Sequence, residues 1–371
     1  MRRRLGMPDC VHALGRAAPA TIETAGVMRQ IELRSDNAAG IAPEIVAAVV
    51  GANTGSALAY GADTWTARLQ QLAAAVFEHP DVTVFPVVSG TAANSLSLAA
   101  LCPPWGAVLC HDSAHILRNE CGATSMFSGG GVMRGLPGLD SLLDTDSLEE
   151  AFATTRWGDP HHSQPAVLSL TSPTDLGAVY PVDRVAALAA RAKEHGLRVH
   201  LDGARIANAI AALGCSPAEL TWRAGVDMLS LGATKNGALS TDAIVCFDAA
   251  LAEQLVYRIK RAGHVASKMR FQSSQLEAYL TDGLWLRLAS HANAAMTRLA
   301  GGLTGMGVEL QPPPDANMAF ARTDPPVVDR LEADGVLFYR MAPDTIRLVT
   351  SFQTTDADVD EVVTRFERAL H

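Results

Sequence analysis

Short apolar runs alternate with amphipathic stretches through the middle of the chain. Val82–Val88 (VTVFPVV) is apolar and rich in β-branched residues, which predicts a strand, and Thr91–Leu101 predicts a helix opening at a Gly-Thr turn. Ala107–His111 and Ala166–Leu170 are the next strand candidates. Val182–Gly196 carries apolar residues at helical spacing and stops at a glycine, a common C-terminal signal. Leu197–Gly203 then reads as a strand, residues around Ala204–Leu213 as a helix, and Val226–Ala233 as a strand. Strand–helix alternation at this spacing predicts βαβ crossovers and a mostly parallel sheet, whose buried strands should be near-continuously apolar, as these are.

Beyond Asp248 the texture changes. Helical segments are predicted from Ala249 to about Arg261 and from Gln272 to about Gly302. A second α+β pattern follows: NMAFART, VVDRLEADGVLF, IRLVTSF and a terminal helix to His371. The expected organisation is an N-terminal arm (1–30), a large sheet domain (31–275) and a small α+β domain (276–371). The first residues are basic but lack the apolar stretch of a secretory signal. The segment before Met28 reads as a mobile arm, or as sequence upstream of a start at Met28.

Composition agrees with two domains. The 371 residues are 48% hydrophobic and 19% charged, enough apolar material for a large, mainly aliphatic core. A net charge of -9 argues against non-specific nucleic-acid binding, which needs a basic stripe. No run approaches the roughly 20 apolar residues of a membrane span. The six cysteines include no CxxC pair, so reduced thiols in a cytoplasmic protein are expected.

Three local features carry chemistry. VHLDGAR (199–205) places Asp202 and Gly203 at a strand end, where open α/β sheets hold ligand groups. LSLGATKNG (229–237) places Lys235 at the next strand end, 33 residues on, about one crossover unit. VVSGTAAN (87–94) runs a strand into Gly90 and Thr91, which open a helix whose free amides can bind phosphate. Taken singly these are a turn, a surface lysine and a helix cap. Together, in this chain order, they match pyridoxal phosphate (PLP). The lysine would form its Schiff base and the carboxylate would keep the pyridine nitrogen protonated.

The wording of the chain then resembles the low-specificity threonine aldolases. These belong to the beta-eliminating lyase group of the aspartate-aminotransferase-like (fold type I) PLP enzymes. The stretches that carry the resemblance are LRSDN (33–37), YGADTWTA (60–67), SGTAANSLSLAAL (89–101), CHDSAHILRNECGA (110–123), LDGARIANA (201–209), GATKNG (232–237), SKMRFQ (267–272) and IRLVTSF (346–352). GTAANSL, ECGA and TKNG are similar to the bacterial branch that includes phenylserine aldolases.

The resemblance implies a PLP-dependent aldolase that cleaves L-threonine, L-allo-threonine or related L-β-hydroxy-α-amino acids, phenylserine among them, to glycine and an aldehyde. It assigns Lys235, His115 and Asp202 as catalytic, with His115 stacked on the cofactor ring. Ser89, Gly90, Thr91, Asn94, Arg205 and Arg270 join them around the cofactor. Ser35, Arg205, Arg347 and Tyr60 fall on the substrate side, with Tyr60 and Arg270 reaching a site across a subunit boundary. It also implies a homotetramer, a dimer of dimers with shared active sites; no motif in the chain identifies a metal site, and none is expected. The alternative on the same cofactor is another lyase or a transaldolase acting on β-substituted amino acids; a non-catalytic binding protein is the reading from another class.

Some residues admit plainer readings. His111 and His115 stand near Cys110 and Cys121, but their spacing fits no common zinc site. Glu120 is either a buried acid near the ring or a helix-surface charge. His161 and His162 lie in a polar loop and read as solvated. One departure bears on mechanism. Shorter relatives carry a Thr-His-Asn-Gly turn whose histidine contacts the substrate hydroxyl. Here the turn reads SPTDLG (172–177), with Thr174 or Asp175 in that region. The base for the β-hydroxyl and the threo/erythro preference are therefore open at this level.

Overall fold

The computed structural model describes residues 29–371; the expected arm lies almost wholly outside the described residues. Seven strands form one sheet in the order Thr83–Val87, Asp242–Cys246, Met228–Leu231, Arg198–Gly203, Gln164–Thr171, Gly106–His111, Val132–Leu136. The last five run parallel to one another, and Asp242–Cys246 is antiparallel to both of its neighbours. The interior strands are buried along their length, as near-continuous apolar runs require. Helices such as Gly90–Leu101, Val182–Glu194 and Ile206–Leu213 connect them and pack on the sheet.

Two elements depart from the sequence pattern. Val132–Leu136 (VMRGL) is an edge strand, largely accessible, and its Arg134 and Gly135 hide it from any apolar template. The expected helix from Gln272 to about Gly302 is two helices, Arg270–Leu280 and Leu284–Gly305. The break falls at Asp282 and Gly283, both with positive φ (50° and 68°), which no continuing α-helix tolerates.

The C-terminal part is an antiparallel sheet ordered Tyr339–Ala342, Thr345–Val349, Met318–Arg322, Glu309–Leu310. Its apolar core takes side chains from Leu284–Gly305, Pro325–Ala333 and Asp356–Leu370. Ile31–Glu32 pairs in parallel with Val336–Leu337, and Ile31 and Leu33 are buried in this same core. Helix Leu284–Gly305 spans both cores: Trp285 and Ala289 join the large one, Met296 and Leu299 the small one. This continuity brings Arg347, on the small sheet, to the cleft at the ends of the large one.

Candidate active site

The C-terminal ends of the parallel strands open into a cleft made of two confluent cavities of about 240 and 600 Å³. Both are lined by Gly90, Thr91, His115, Asp202 and Lys235. Register explains the convergence: Asp202 pairs with Thr171 on one side and Ser230 on the other, so their loops leave the sheet at one level.

Asp202 is held from two sides. Its Oδ1 accepts from the Ala204 amide at 3.0 Å and its Oδ2 from Asn94 Nδ2 at 2.9 Å. The same Asn94 amide nitrogen donates to Glu120 Oε1 at 2.9 Å, and that oxygen lies 2.9 Å from His115 Nδ1. The four side chains thus form a single chain of hydrogen bonds. Glu120 is buried, which settles its two readings in favour of a site neighbour. Its hydrogen bond and charge raise the proton affinity of His115.

Lys235 sits on a short helical turn, Thr234–Asn236, fixed from below. Asn236 Nδ2 donates to Tyr279 Oη and to the Trp285 carbonyl, and Tyr279 Oη donates to the Gly232 carbonyl. Gly232 is required there, since a Cβ would lie 2.2 Å from the Ala204 carbonyl oxygen. The Arg205 charge and burial lower the pKa of Lys235, so its amine gives up a proton more readily than a surface lysine. Asp242 Oδ1 supports the same loop, accepting from the Ala233 and Thr234 amides at 2.8 and 3.0 Å.

At the other wall, Ser89 caps helix Gly90–Leu101 by accepting from the Ala92 amide. The amides of Gly90 and Thr91 have no intrahelical partner and face the cavity end, a ready anion cradle. On the substrate side, Arg347 is half-buried with its Nε unpartnered, one Nη2 bond to the Arg34 carbonyl and its guanidinium over the Tyr339 ring. A buried, unsatisfied guanidinium nitrogen calls for an anion, and a carboxylate has the matching two-point geometry. Ser35 lines the same cavity; its Oγ accepts from the Asn37 amide.

Arg205 differs from the expected free carboxylate binder. Its Nε and Nη2 are engaged by Asp36 at 2.6 and 3.0 Å, and Asn317 Nδ2 donates to the same carboxylate. Arg205 Nη1 is left for a ligand, without a bond among the described residues. Asp36, Asp242 and Asn317 were not singled out from sequence for these positions, whereas Asp175 was named with Thr174 as a residue of the turn that lacks the histidine.

Tyr60 and Arg270 are not in this chain's cleft. Tyr60 is 59% exposed, beneath the Lys260 ammonium, and Arg270 bonds the Thr54 and Gly55 carbonyls. His111 is structural: its Nδ1 accepts from the Ser113 amide, and Nε2 lies 3.1 Å from the Gly138 carbonyl.

The residues present fit the expected cofactor. An anion cradle, an inward carboxylate and a half-buried lysine occupy one cavity in the order that a phosphorylated pyridine aldehyde demands. Asn94 Oδ1, Glu120 Oε2 and Thr234 Oγ1 are buried without partners beside it.

Residues 32–325 match the family model of beta-eliminating lyases. The chain is 42% identical to a low-specificity L-threonine aldolase of Pseudomonas sp. strain NCIMB 10558 over 333 residues, 89% of this chain and 95% of that protein. The solved threonine aldolase of Leishmania major superposes with a TM-score of 0.86 at 27% identity, covering 91% of this chain and 99% of that one. The aspartate aminotransferase of Thermus thermophilus shares the fold, with a TM-score of 0.65 at 19% identity over 90% of this chain and 89% of that one.

Proposed function

The chain belongs to the beta-eliminating lyase family, among its low-specificity L-threonine aldolases, and from that premise we propose that it cleaves L-threonine, L-allo-threonine and related L-β-hydroxy-α-amino acids to glycine and an aldehyde with bound pyridoxal phosphate. That cofactor, when bound, accepts the electron pair released at the α-carbon. Gly90 and Thr91, on the Ser89-capped helix, bind its phosphate, and Asn94 steadies Asp202. Asp202, with both oxygens fixed, holds a proton at the pyridine nitrogen. Lys235 Nζ anchors the aldehyde end and, with its lowered pKa, exchanges protons readily. His115, oriented by Glu120 on the cavity wall, would pack against the ring of the bound cofactor.

Arg347 with Arg205 Nη1 and Ser35 binds the amino acid carboxylate, fixing which α-carbon bond can break. The single observation that carries this reading is the half-buried Arg347 in the same cleft as Lys235, with its Nη1 free of any bond among the described residues. The assembly is a homotetramer, a dimer of dimers with shared sites. The exposed position of Tyr60, and of Arg270 outside its own cleft, supports this. The compartment is the cytoplasm, supported by the five free cysteines among the described residues. No helix of the described residues is long and apolar enough to cross a membrane.

The test is incubation with L-threonine and, separately, phenylserine. Acetaldehyde or benzaldehyde should appear with one equivalent of glycine. Keto acid and ammonia in place of glycine would assign an elimination instead.

A further inference from the structure

Resting on that reading, we propose that Asp175 is the catalytic base that takes the β-hydroxyl proton. The assignment comes from comparing the carboxylates of the cleft. Asp202 has both oxygens bonded, to Ala204 and Asn94. Asp36 has both engaged by Arg205. Glu120 Oε1 takes Asn94 and His115, and its Oε2 is sealed from the cavity. Asp242 supports the lysine loop, and its Oδ2 lies 4.0 Å from a Cβ built on Gly90, at the anion-cradle end.

Asp175 alone keeps an oxygen for the substrate side. Its Oδ2 accepts from the His115 amide at 3.2 Å, Oδ1 has no bond among the described residues, and the residue lines the cavity that holds Arg347. Its neighbour Thr174 is excluded, since its hydroxyl donates to the Asp140 carbonyl and accepts from the Ala178 amide. The turn is firm. The Gly177 amide donates to the Thr174 carbonyl, and Gly177 has φ +87° with no room for a Cβ against the Met318 carbonyl. Asp175 therefore stands on a rigid turn just beyond strand Gln164–Thr171, one strand from Asp202.

The electrostatics suit a base. Burial and the Asp202 charge raise the Asp175 pKa, while His115 and Arg205 oppose this; Arg347 also feels its charge. A carboxylate made more basic this way takes a proton better than a solvated one. His115, by contrast, is biased by Glu120 toward its cation, which has no lone pair to offer. In the step, the O–H bond breaks and its proton passes to Asp175 Oδ1. The O–H electron pair becomes the aldehyde π-bond as the Cα–Cβ bond breaks. The bound cofactor would supply the sink for the Cα pair until Cα is protonated, and Asp175 returns its own proton to solvent.

The test compares wild type with Asp175→Asn and Asp175→Glu. Asparagine keeps an oxygen for the His115 amide but cannot take the proton. Asp175→Asn should lower kcat for L-threonine about 100-fold or more. Glycine has no β-hydroxyl, so its calorimetric Kd should stay within about threefold, and the melting temperature should not fall. Asp175→Glu should recover part of kcat. Cleavage by Asp175→Asn within about threefold of wild type would overturn the assignment. So would glycine binding and melting temperature falling together, the mark of a structural role. A wild type that releases no glycine overturns the cleavage reading and this assignment together. A wild type that cleaves while Asp175→Asn keeps pace overturns the assignment alone.

Discussion

Glu120 controls more of the cleft floor than its place in a short loop suggests. One of its oxygens receives both Asn94 and His115, and Asn94 passes the connection to Asp202. The hydrogen bond to the Glu120 carboxylate first, and its negative charge second, raise the His115 pKa. Glu120→Gln keeps an oxygen for Asn94 while removing that charge. The His115 titration midpoint, followed by NMR of the ring protons, should therefore move down toward the ordinary histidine value. An unmoved midpoint would assign the shift to other groups. Lys235→Ala tests the opposite end: with the anchoring amine gone, the purified protein should lose the cofactor's visible absorbance and at least about 100-fold in activity. Retention of both would remove Lys235 from its role. Lys235, Asp202 and Gly90–Thr91 were legible in sequence because each is local punctuation at a strand end, whereas His115 was assigned through the family resemblance alone. Asp36 was not, since its meaning lies in Arg205, 169 positions away.

At the scale of elements, helix Leu284–Gly305 ties the two cores together, and its paired glycines separate propensity from packing. Gly301 meets nothing within 4 Å of a built Cβ, whereas at Gly302 a Cβ would lie 2.6 Å from Val363 Cγ2. Gly301→Ala should thus stabilise the protein by about 0.5–1 kcal/mol through helix propensity alone. Gly302→Ala should destabilise it, by about 1–3 kcal/mol as an overpacked contact against the terminal helix. Thermal melts of the two variants check the sign. Equal shifts would show that the helix does not pack on Val363 as described. The same helix marks where pattern reading stopped. Apolar periodicity continues across Thr281–Gly283, yet the positive φ of Asp282 and Gly283 breaks the rod. Interior strands were legible as apolar runs. The edge strand Val132–Leu136 was not, because only one of its residues is buried.

At the scale of the whole molecule, the cleft of a single chain leaves Tyr60 and Arg270 outside it. Both sit on one surface region: the Tyr60 amide donates to the Ser267 carbonyl, and Arg270 follows three residues later. If that surface completes the cleft of a neighbouring subunit, as proposed, each site needs Lys235 from one chain and Arg270 from another. Lys235→Ala and Arg270→Ala proteins should then each be impaired for different reasons. Unfolded together in equal amounts and refolded, they should reassort at random. Half of the dimers would be mixed, and in each mixed dimer one of the two sites would carry both intact residues. Activity should return to about a quarter of wild type, more than either parent shows. The measurement is threonine cleavage before and after co-refolding, with each variant refolded alone as the control. Activity no higher than the mean of the two parents would mean that each chain completes its own site, and Arg270 would lose its place beside the cofactor.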